Sequence, residues 1–138
     1  MRYIIVLVSA ILLCNCAVQN SLQDTVWVNI TPAQHGNVQG QIVTSMHFHK
    51  KHKVDFNTAV AYNNQVEVVP YRSAEGIYKC AGSIKKGAKI QIDATTVNGA
   101  IRYNGRLFPE GMMLYAPDST VYAYNMVDSV IIYKQRRL

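Results

Sequence analysis

The sequence has 138 residues, a net charge of +6 and three cysteines. A chain of this length can enclose one hydrophobic core but not two, so a single domain is expected. Two of the cysteines lie near the N-terminus, which leaves Cys80 alone in the domain and excludes a disulfide framework. The high pI would suit nucleic-acid binding, but the lysine pairs fall at predicted turns, where they favour solubility.

The N-terminal segment has the pattern of a secretory signal. Arg2 is its only charge, residues 3–13 are almost entirely apolar, and small or polar residues follow. This apolar run is shorter than the ~20 residues that a membrane-spanning helix needs. We therefore predict export of the chain rather than a permanent transmembrane helix.

Apolar residues lead directly into Cys14 and Cys16, and this string resembles the lipobox of bacterial lipoproteins. In that family the cysteine thiol is acylated and the cysteine becomes the first residue of the mature chain. Leu13 stands three residues before Cys16, which favours Cys16 as the lipidation site, with Cys14 as the alternative. The resemblance implies a membrane-anchored lipoprotein of the bacterial cell envelope. Cleavage near Ala17 would instead leave a soluble periplasmic or secreted protein.

The rest of the chain reads as short alternating strands separated by turn residues. Strands are expected at residues 25–30, 41–49, 54–62, 65–71, 76–84, 89–94, 100–103, 106–108, 111–115, 120–125 and 129–134. The connections include a loop at residues 34–40, a turn at residues 63–64 and a hairpin turn at Asn104–Gly105. This pattern predicts an all-β fold, an antiparallel up-and-down meander closed into a barrel. The expected segments are a signal (1–16), a polar linker (17–23) and the barrel domain (24–138).

Residues 24–134 contain a tryptophan in the first strand (Trp27) and aromatic residues in the next hairpin. They also contain the strings GIY (76–78), AKIQI (88–92) and GAIRY (99–103). Together they resemble the calycin group, and more narrowly the small lipocalin-like lipoproteins common in Bacteroidetes. The resemblance implies a barrel whose closed end is crossed by Trp27 and covered by Lys134 or Arg136 from the last strand. The chain departs from true lipocalins at Thr25, where they carry a glycine.

A histidine-rich segment supplies the candidate metal ligands. His47 and His49 stand two residues apart on a predicted strand and point the same way, as two ligands of one metal ion would, and Asp55 follows. The apolar residues, however, predict that Phe48 lies opposite Val54, which places His47 opposite Asp55 on the polar side of a hairpin. We therefore expect a solvated polar face, with a metal site at His47, His49 and Asp55 as the alternative.

Nine tyrosines are present beside three phenylalanines and one tryptophan. A tyrosine offers an apolar ring and a polar hydroxyl, which suits pockets that are partly exposed to water. Tyrosines are also common in strands because of their high β-propensity. Cys80 is expected to be a small buried side chain rather than a nucleophile. The candidate wall residues of a ligand cavity are Trp27, Tyr78, Tyr122 and Tyr124.

No pattern typical of an enzyme is present: there is no Ser-His-Asp order, carboxylate pair, phosphate-binding glycine loop or CxxC motif. A non-catalytic protein without a cofactor is therefore favoured. The leading hypothesis is binding of a small apolar or amphipathic ligand inside the barrel, with the membrane as a second partner through the lipid anchor. The alternatives are a protein-interaction or inhibitor module of the cell envelope and a metal-binding protein that uses His47 and His49.

Overall fold

The structure of the protein is a computed structural model, and it describes residue 18 and residues 20–62, 65–68 and 73–127. The predicted signal segment with Cys14 and Cys16, the predicted turn at residues 63–64 and the predicted last strand at residues 129–134 lie outside the described residues. So do Lys134 and Arg136, which the resemblance placed over Trp27.

Alternating apolar residues, many of them β-branched or aromatic, make the described chain almost entirely β-structure. The strands in chain order are β1 (Val26–His35), β2 (Val38–Phe48), β3 (Lys53–Tyr62), β4 (Gln65–Val68), β5 (Ala74–Ala81), β6 (Ala88–Thr96), β7 (Gly99–Leu107), β8 (Met112–Tyr115) and β9 (Val121–Val127). Two short 3-10 turns, Lys50–His52 and Ile84–Lys86, connect β2 to β3 and β5 to β6.

The strands form one antiparallel sheet that closes on itself. The order is β2-β1-β9-β8-β7-β6-β5-β3-β4, and β2 also pairs with β3. Strands β4 and β5 pair with opposite ends of β3, so together they occupy one of the eight strand positions around the barrel. Closure pairs the strands that would form the two edges of an open sheet. The prediction of an all-β antiparallel meander closed into a barrel is confirmed.

One end of the barrel, which we call the closed end, is filled by apolar side chains. Strands β1, β3, β6 and β8 begin at this end. The inward-facing side chains that pack there are each at most 4% exposed: Trp27, Met46, Phe48, Val54, Tyr78, Cys80, Ile90, Leu107, Met112, Leu114 and Tyr124. We call the opposite end the mouth. The inward-facing side chains toward the mouth are half-buried, and they include Ile42, Thr44, Val60, Ile101, Tyr103 and Tyr122.

The segment before β1 packs into the closed end. Val18 and residues 20–22 are helical, and Val18 and Leu22 are 8% and 1% exposed within the apolar core. Two residues four apart lie on one face of a helix, so both side chains turn toward the barrel together. The amide of Asp24 donates a hydrogen bond of 2.8 Å to the carbonyl of Phe48, which fixes the segment against β2. Residues 17–23, expected to be a polar linker, thus contribute two side chains to the core.

The hairpin of β2 and β3 has the predicted register. Phe48 pairs with Val54, and His47 pairs with Asp55. Phe48 and Val54 are buried in the barrel, whereas His47 and Asp55 are half-buried on its outer face. A slip of one residue would have turned every buried side chain of the hairpin outward, so the apolar pattern alone determines this pairing.

The predicted loop at residues 34–40 is wrong. Strand β1 continues to His35, β2 begins at Val38, and only Gly36 and Asn37 form the turn. Gly36 has a φ of 59°, which a residue without a side chain adopts easily. Pro32 lies inside β1. At this position β1 pairs with β2 only, because its pairing with β9 ends at Val28. A proline is tolerated there because its missing N–H is not needed on the unpaired side.

The predicted hairpin turn at Asn104–Gly105 is also wrong, since β7 runs without interruption from Gly99 to Leu107. A Cβ atom on Gly105 would overlap the backbone oxygen of Met113 and would lie 2.8 Å from Leu114 Cδ2. The glycine therefore serves a close approach of β7 and β8 and not a turn.

Candidate functional site

Of the four predicted ligand-binding residues, three lie at the closed end. Trp27, Tyr78 and Tyr124 are 3%, 1% and 4% exposed, and their rings are covered by protein atoms. Tyr78 packs edge-on against Phe48, with ring centroids 4.9 Å apart. Tyr122 differs from them, because it faces inward from β9 and is only half-buried. The structure therefore places one of the four predicted residues, Tyr122, toward the mouth of the barrel.

Three aromatic rings line the barrel between its core and its mouth. The rings of Phe56 and Tyr103 have centroids 5.7 Å apart, and those of Tyr103 and Tyr122 are 6.3 Å apart in a T-shaped arrangement. Phe56 is 6% exposed, whereas Tyr103 and Tyr122 are half-buried. We call Phe56, Tyr103 and Tyr122 the mouth cluster. Its rings give an apolar surface that ends in two phenol hydroxyls.

Burial shields the hydroxyl of Tyr103 in the mouth cluster and that of Tyr124 beneath it from water. Burial raises the pKa of Tyr103, and the neighbouring Tyr122 and Asp118 raise it further. Burial also raises the pKa of Tyr124, again with contributions from Tyr103 and Tyr122. The hydroxyls of Tyr103 and Tyr124 are therefore neutral at physiological pH. Within the described part of the chain, neither Tyr103 nor Tyr122 donates a hydrogen bond to another residue, so both can bond a ligand.

Polar side chains adjoin the mouth cluster on the neighbouring strands. Thr58 is 4% exposed, two residues from Phe56 on β3, and its hydroxyl lies 3.4 Å from the hydroxyl of Thr44 on β2. Asn29 on β1 donates a hydrogen bond of 2.6 Å to the carbonyl of Ala123 on β9. The mouth thus combines apolar rings with hydroxyl groups.

Two members of the mouth cluster, Phe56 and Tyr103, are not among the ligand-binding residues that the sequence predicts. The predicted turn at Asn104–Gly105 divides β7 into two short strands, and this division obscures the inward position of Tyr103. The unbroken strand gives inward positions at Ile101, Tyr103 and Leu107, and alternation along it would have identified Tyr103. The sequence predicts that Phe56 faces inward, but nothing in it distinguishes Phe56 from the core residues of the closed end.

A separate groove of about 440 Å³ lies on the outer face of β5 to β8. Lys79, Gln91, Asn104 and Tyr115 are successive cross-strand partners along it. Lys89 and Arg106 form the next row toward the closed end, and both contribute to its lining. The groove is therefore an open, basic surface feature rather than part of the barrel interior.

The histidine segment forms a pair rather than a cluster of three convergent ligands. The Nε2 atom of His49 lies 2.7 Å from Oδ2 of Asp55, and both side chains are more than 40% exposed. The rings of His47 and His49 are 5.9 Å apart between centroids and are tilted by 60°. Among the described residues, no group of three or more His, Cys, Asp or Glu side chains is arranged to hold a metal ion.

Cys80 lies on the inner face of β5 and is 4% exposed. Burial raises the pKa of its thiol to about 11, and a backbone hydrogen bond from Ala81 opposes this only in part. A thiol held protonated and covered by protein is a poor nucleophile. Cys80 is therefore a side chain of the core, as the sequence predicts.

No helix within the described residues combines the length and the apolar character that a crossing of the bilayer requires. Comparisons of the chain with models of protein families, with curated proteins and with solved structures find no match. Function must therefore be argued from the barrel and from the chemistry of its mouth.

Proposed function

We propose that the protein is an exported, lipocalin-like lipoprotein of the bacterial cell envelope that binds a small amphipathic ligand at the mouth of its barrel. The observation that carries this proposal is the mouth cluster of Phe56, Tyr103 and Tyr122. Tyr103 and Tyr122 are half-buried, and their hydroxyls have no hydrogen-bond partner among the described residues. Such rings are typical of sites that bind the apolar part and the polar group of one ligand together.

The packing of the barrel limits the size of the ligand. The closed end is filled by Trp27, Tyr78 and Tyr124 with their neighbours, so a ligand enters from the mouth and stops near Phe56. We expect a ring or a short acyl chain to pack on the aromatic surface, with a hydrogen-bonding group directed at the hydroxyl of Tyr103 or Tyr122. Long acyl chains would need the closed end to open, which would cost the packing of its core.

The lipoprotein part of the proposal is supported by the sequence of residues 1–16, in which an apolar run leads into Cys14 and Cys16. Acylation at Cys16, with Cys14 as the alternative, would hold the barrel at the membrane surface. Binding rather than catalysis is favoured because Cys80, the strongest nucleophile type in the described domain, is buried with a raised pKa.

Native mass spectrometry of the full protein, purified from its own host in mild detergent, tests both parts of this proposal. Acylation predicts a chain that begins at Cys16 or Cys14 and carries additional acyl mass. Ligand binding predicts a further small organic mass that is released on unfolding. A mature chain without acyl mass contradicts the anchor, and a protein that neither carries nor takes up any amphipathic molecule contradicts the binding function.

A further inference from the structure

The connections at the closed end are rich in basic residues. The turn between β2 and β3, Lys50–His52, carries two exposed lysines and is followed by the exposed Lys53. The turn between β5 and β6, Ile84–Lys86, carries two more. Alternate connections of an antiparallel meander emerge at the same end of the barrel, so these five lysines share one rim. We call them the basic rim.

The mouth end lacks such charges in its described connections. Residues 36–37, 97–98 and 116–120 contain one charged side chain, Asp118. Among the described residues, the acidic side chains near the closed end are Glu110, between β7 and β8, Asp24, before β1, and Asp55 on β3, whose carboxylate contacts His49. Five lysines against three carboxylates leave the described part of the closed end positive, whereas the described connections at the mouth carry one negative charge.

Two further cations extend the basic rim onto the outer face of the barrel. Lys89 and Arg106 are cross-strand partners and both are exposed. Arg106 donates a hydrogen bond of 3.0 Å to the carbonyl of Gly87, immediately after the turn that carries Lys85 and Lys86. Among the described residues, no carboxylate makes a salt bridge with Lys89 or Arg106. Their charges are therefore available to an external anion.

The chain also enters the barrel at the closed end, through a short tether. Val18 is buried in the core, and Cys16 precedes it by two residues. Two extended residues span at most about 7 Å, and the four residues back to Cys14 span at most about 14 Å. An acyl chain on either cysteine would therefore bring the closed end, and not the mouth, to the headgroup region of the bilayer.

We infer that the basic rim docks the barrel on the phosphate-bearing headgroups of an anionic bilayer and directs the mouth away from the membrane. This inference rests on the lipid anchor of the proposed function. A row of lysines near a bilayer is attracted to anionic headgroups over a distance of about one Debye length, and a tether this short keeps the rim within that distance. The mouth cluster then opens toward the surrounding medium, where a ligand can reach it.

The test is amide hydrogen exchange of the full acylated protein in nanodiscs, either of phosphatidylcholine alone or of an equimolar mixture with phosphatidylglycerol. Docking predicts exchange that is severalfold slower at residues 50–52 and 84–86 in the anionic discs, with no change at residues 36–38 and 97–99 of the mouth. The protection should disappear in high salt.

Two double variants with equal changes of charge make the test specific. Lys85→Gln with Lys86→Gln should lose the protection at the closed end, whereas Asn37→Asp with Asn98→Asp should retain it. All four positions are exposed turn residues, and thermal unfolding will confirm that both variants fold.

Equal exchange in both kinds of disc, protection at the mouth, or retained protection in the lysine variant would each overturn the docking inference and leave the anchor standing. A chain without acyl mass would overturn both.

Discussion

The indole Nε1 of Trp27 donates a hydrogen bond of 3.0 Å to the hydroxyl of Thr25, and that hydroxyl in turn donates to the carbonyl of Leu22 at 2.5 Å. Thr25 thus connects the tryptophan of β1 to the helical segment that fills the closed end. It does so at the position where the chain departs from the glycine of true lipocalins.

Thr25→Val should therefore destabilise the protein by about 1–3 kcal/mol, because the buried indole N–H loses its acceptor while the side-chain volume is kept. Urea unfolding of the wild type and the variant measures this difference in free energy. Thr25→Ser, which retains the hydroxyl, should recover most of the loss. Thr31→Val, at an exposed position of the same strand, is the matched control and should change little. A Thr25→Val protein as stable as the wild type would show that this hydrogen bond is unimportant.

Gly105 lies where β7 and β8 approach closely, and an added Cβ atom would overlap the backbone of Met113. Gly105→Ala should cost about 1–3 kcal/mol through overpacking. Gly111→Ala is the matched control, because its nearest neighbour, the carbonyl oxygen of Tyr124, would lie at an ordinary 3.4 Å. The free energies of unfolding of the two variants should differ clearly. Equal values would contradict the close approach of β7 and β8 at Gly105.

These glycines illustrate what the sequence could and could not predict. Alternation of apolar residues was sufficient for the barrel and for the pairing of Phe48 with Val54, since only one register buries both. The dipeptide Asn104–Gly105 predicts a turn that the structure does not contain. A glycine has the same local sequence pattern whether it forms a turn or allows a close contact with a distant strand. That contact is made by Met113, and no local pattern reports it.

The site was harder to predict than the fold for a related reason. An inward-facing tyrosine has the same sequence pattern whether it lies at the closed end, as Tyr78 does, or at the mouth, as Tyr122 does. Its depth depends on where the helical segment with Val18 and Leu22 fills the barrel. In the sequence, the two apolar residues of that segment stand among polar neighbours, a pattern that predicts a linker rather than a part of the core.

The buried thiol of Cys80 makes stability depend on alkaline pH. Its pKa rises from an ordinary 9.0 to about 11 on folding. Between these values the unfolded chain loses a proton that the folded chain keeps, so the free energy of unfolding should fall as the pH rises from 9 to 11. The urea midpoint of the wild type should decrease over this range, and that of Cys80→Ala should decrease less. Parallel pH profiles for the two proteins would contradict this assignment.

The pair of His49 and Asp55 should contribute little to stability. Their side chains are 44% and 43% exposed, and exposed ion pairs contribute at most about 1 kcal/mol. Asp55→Asn should therefore change the free energy of unfolding by less than that amount in urea unfolding. Equimolar Zn²⁺ should leave the melting temperature of the wild type unchanged. A large stabilisation by Zn²⁺ that is lost in His47→Ala would instead support the metal-binding alternative.

We expect a ligand to bind on the aromatic rings at the mouth, and this binding can be measured by titration with the neutral fluorescent amphiphile N-phenyl-1-naphthylamine. The probe carries no charge, so the basic rim does not attract it. Tyr122→Ala should weaken saturable binding by roughly 3- to 10-fold, as expected for the loss of one aromatic contact. Tyr115→Ala, which removes an exposed tyrosine from the outer groove, should leave the affinity unchanged. Equal affinities for the wild type and Tyr122→Ala, or a loss confined to Tyr115→Ala, would contradict a site at the mouth.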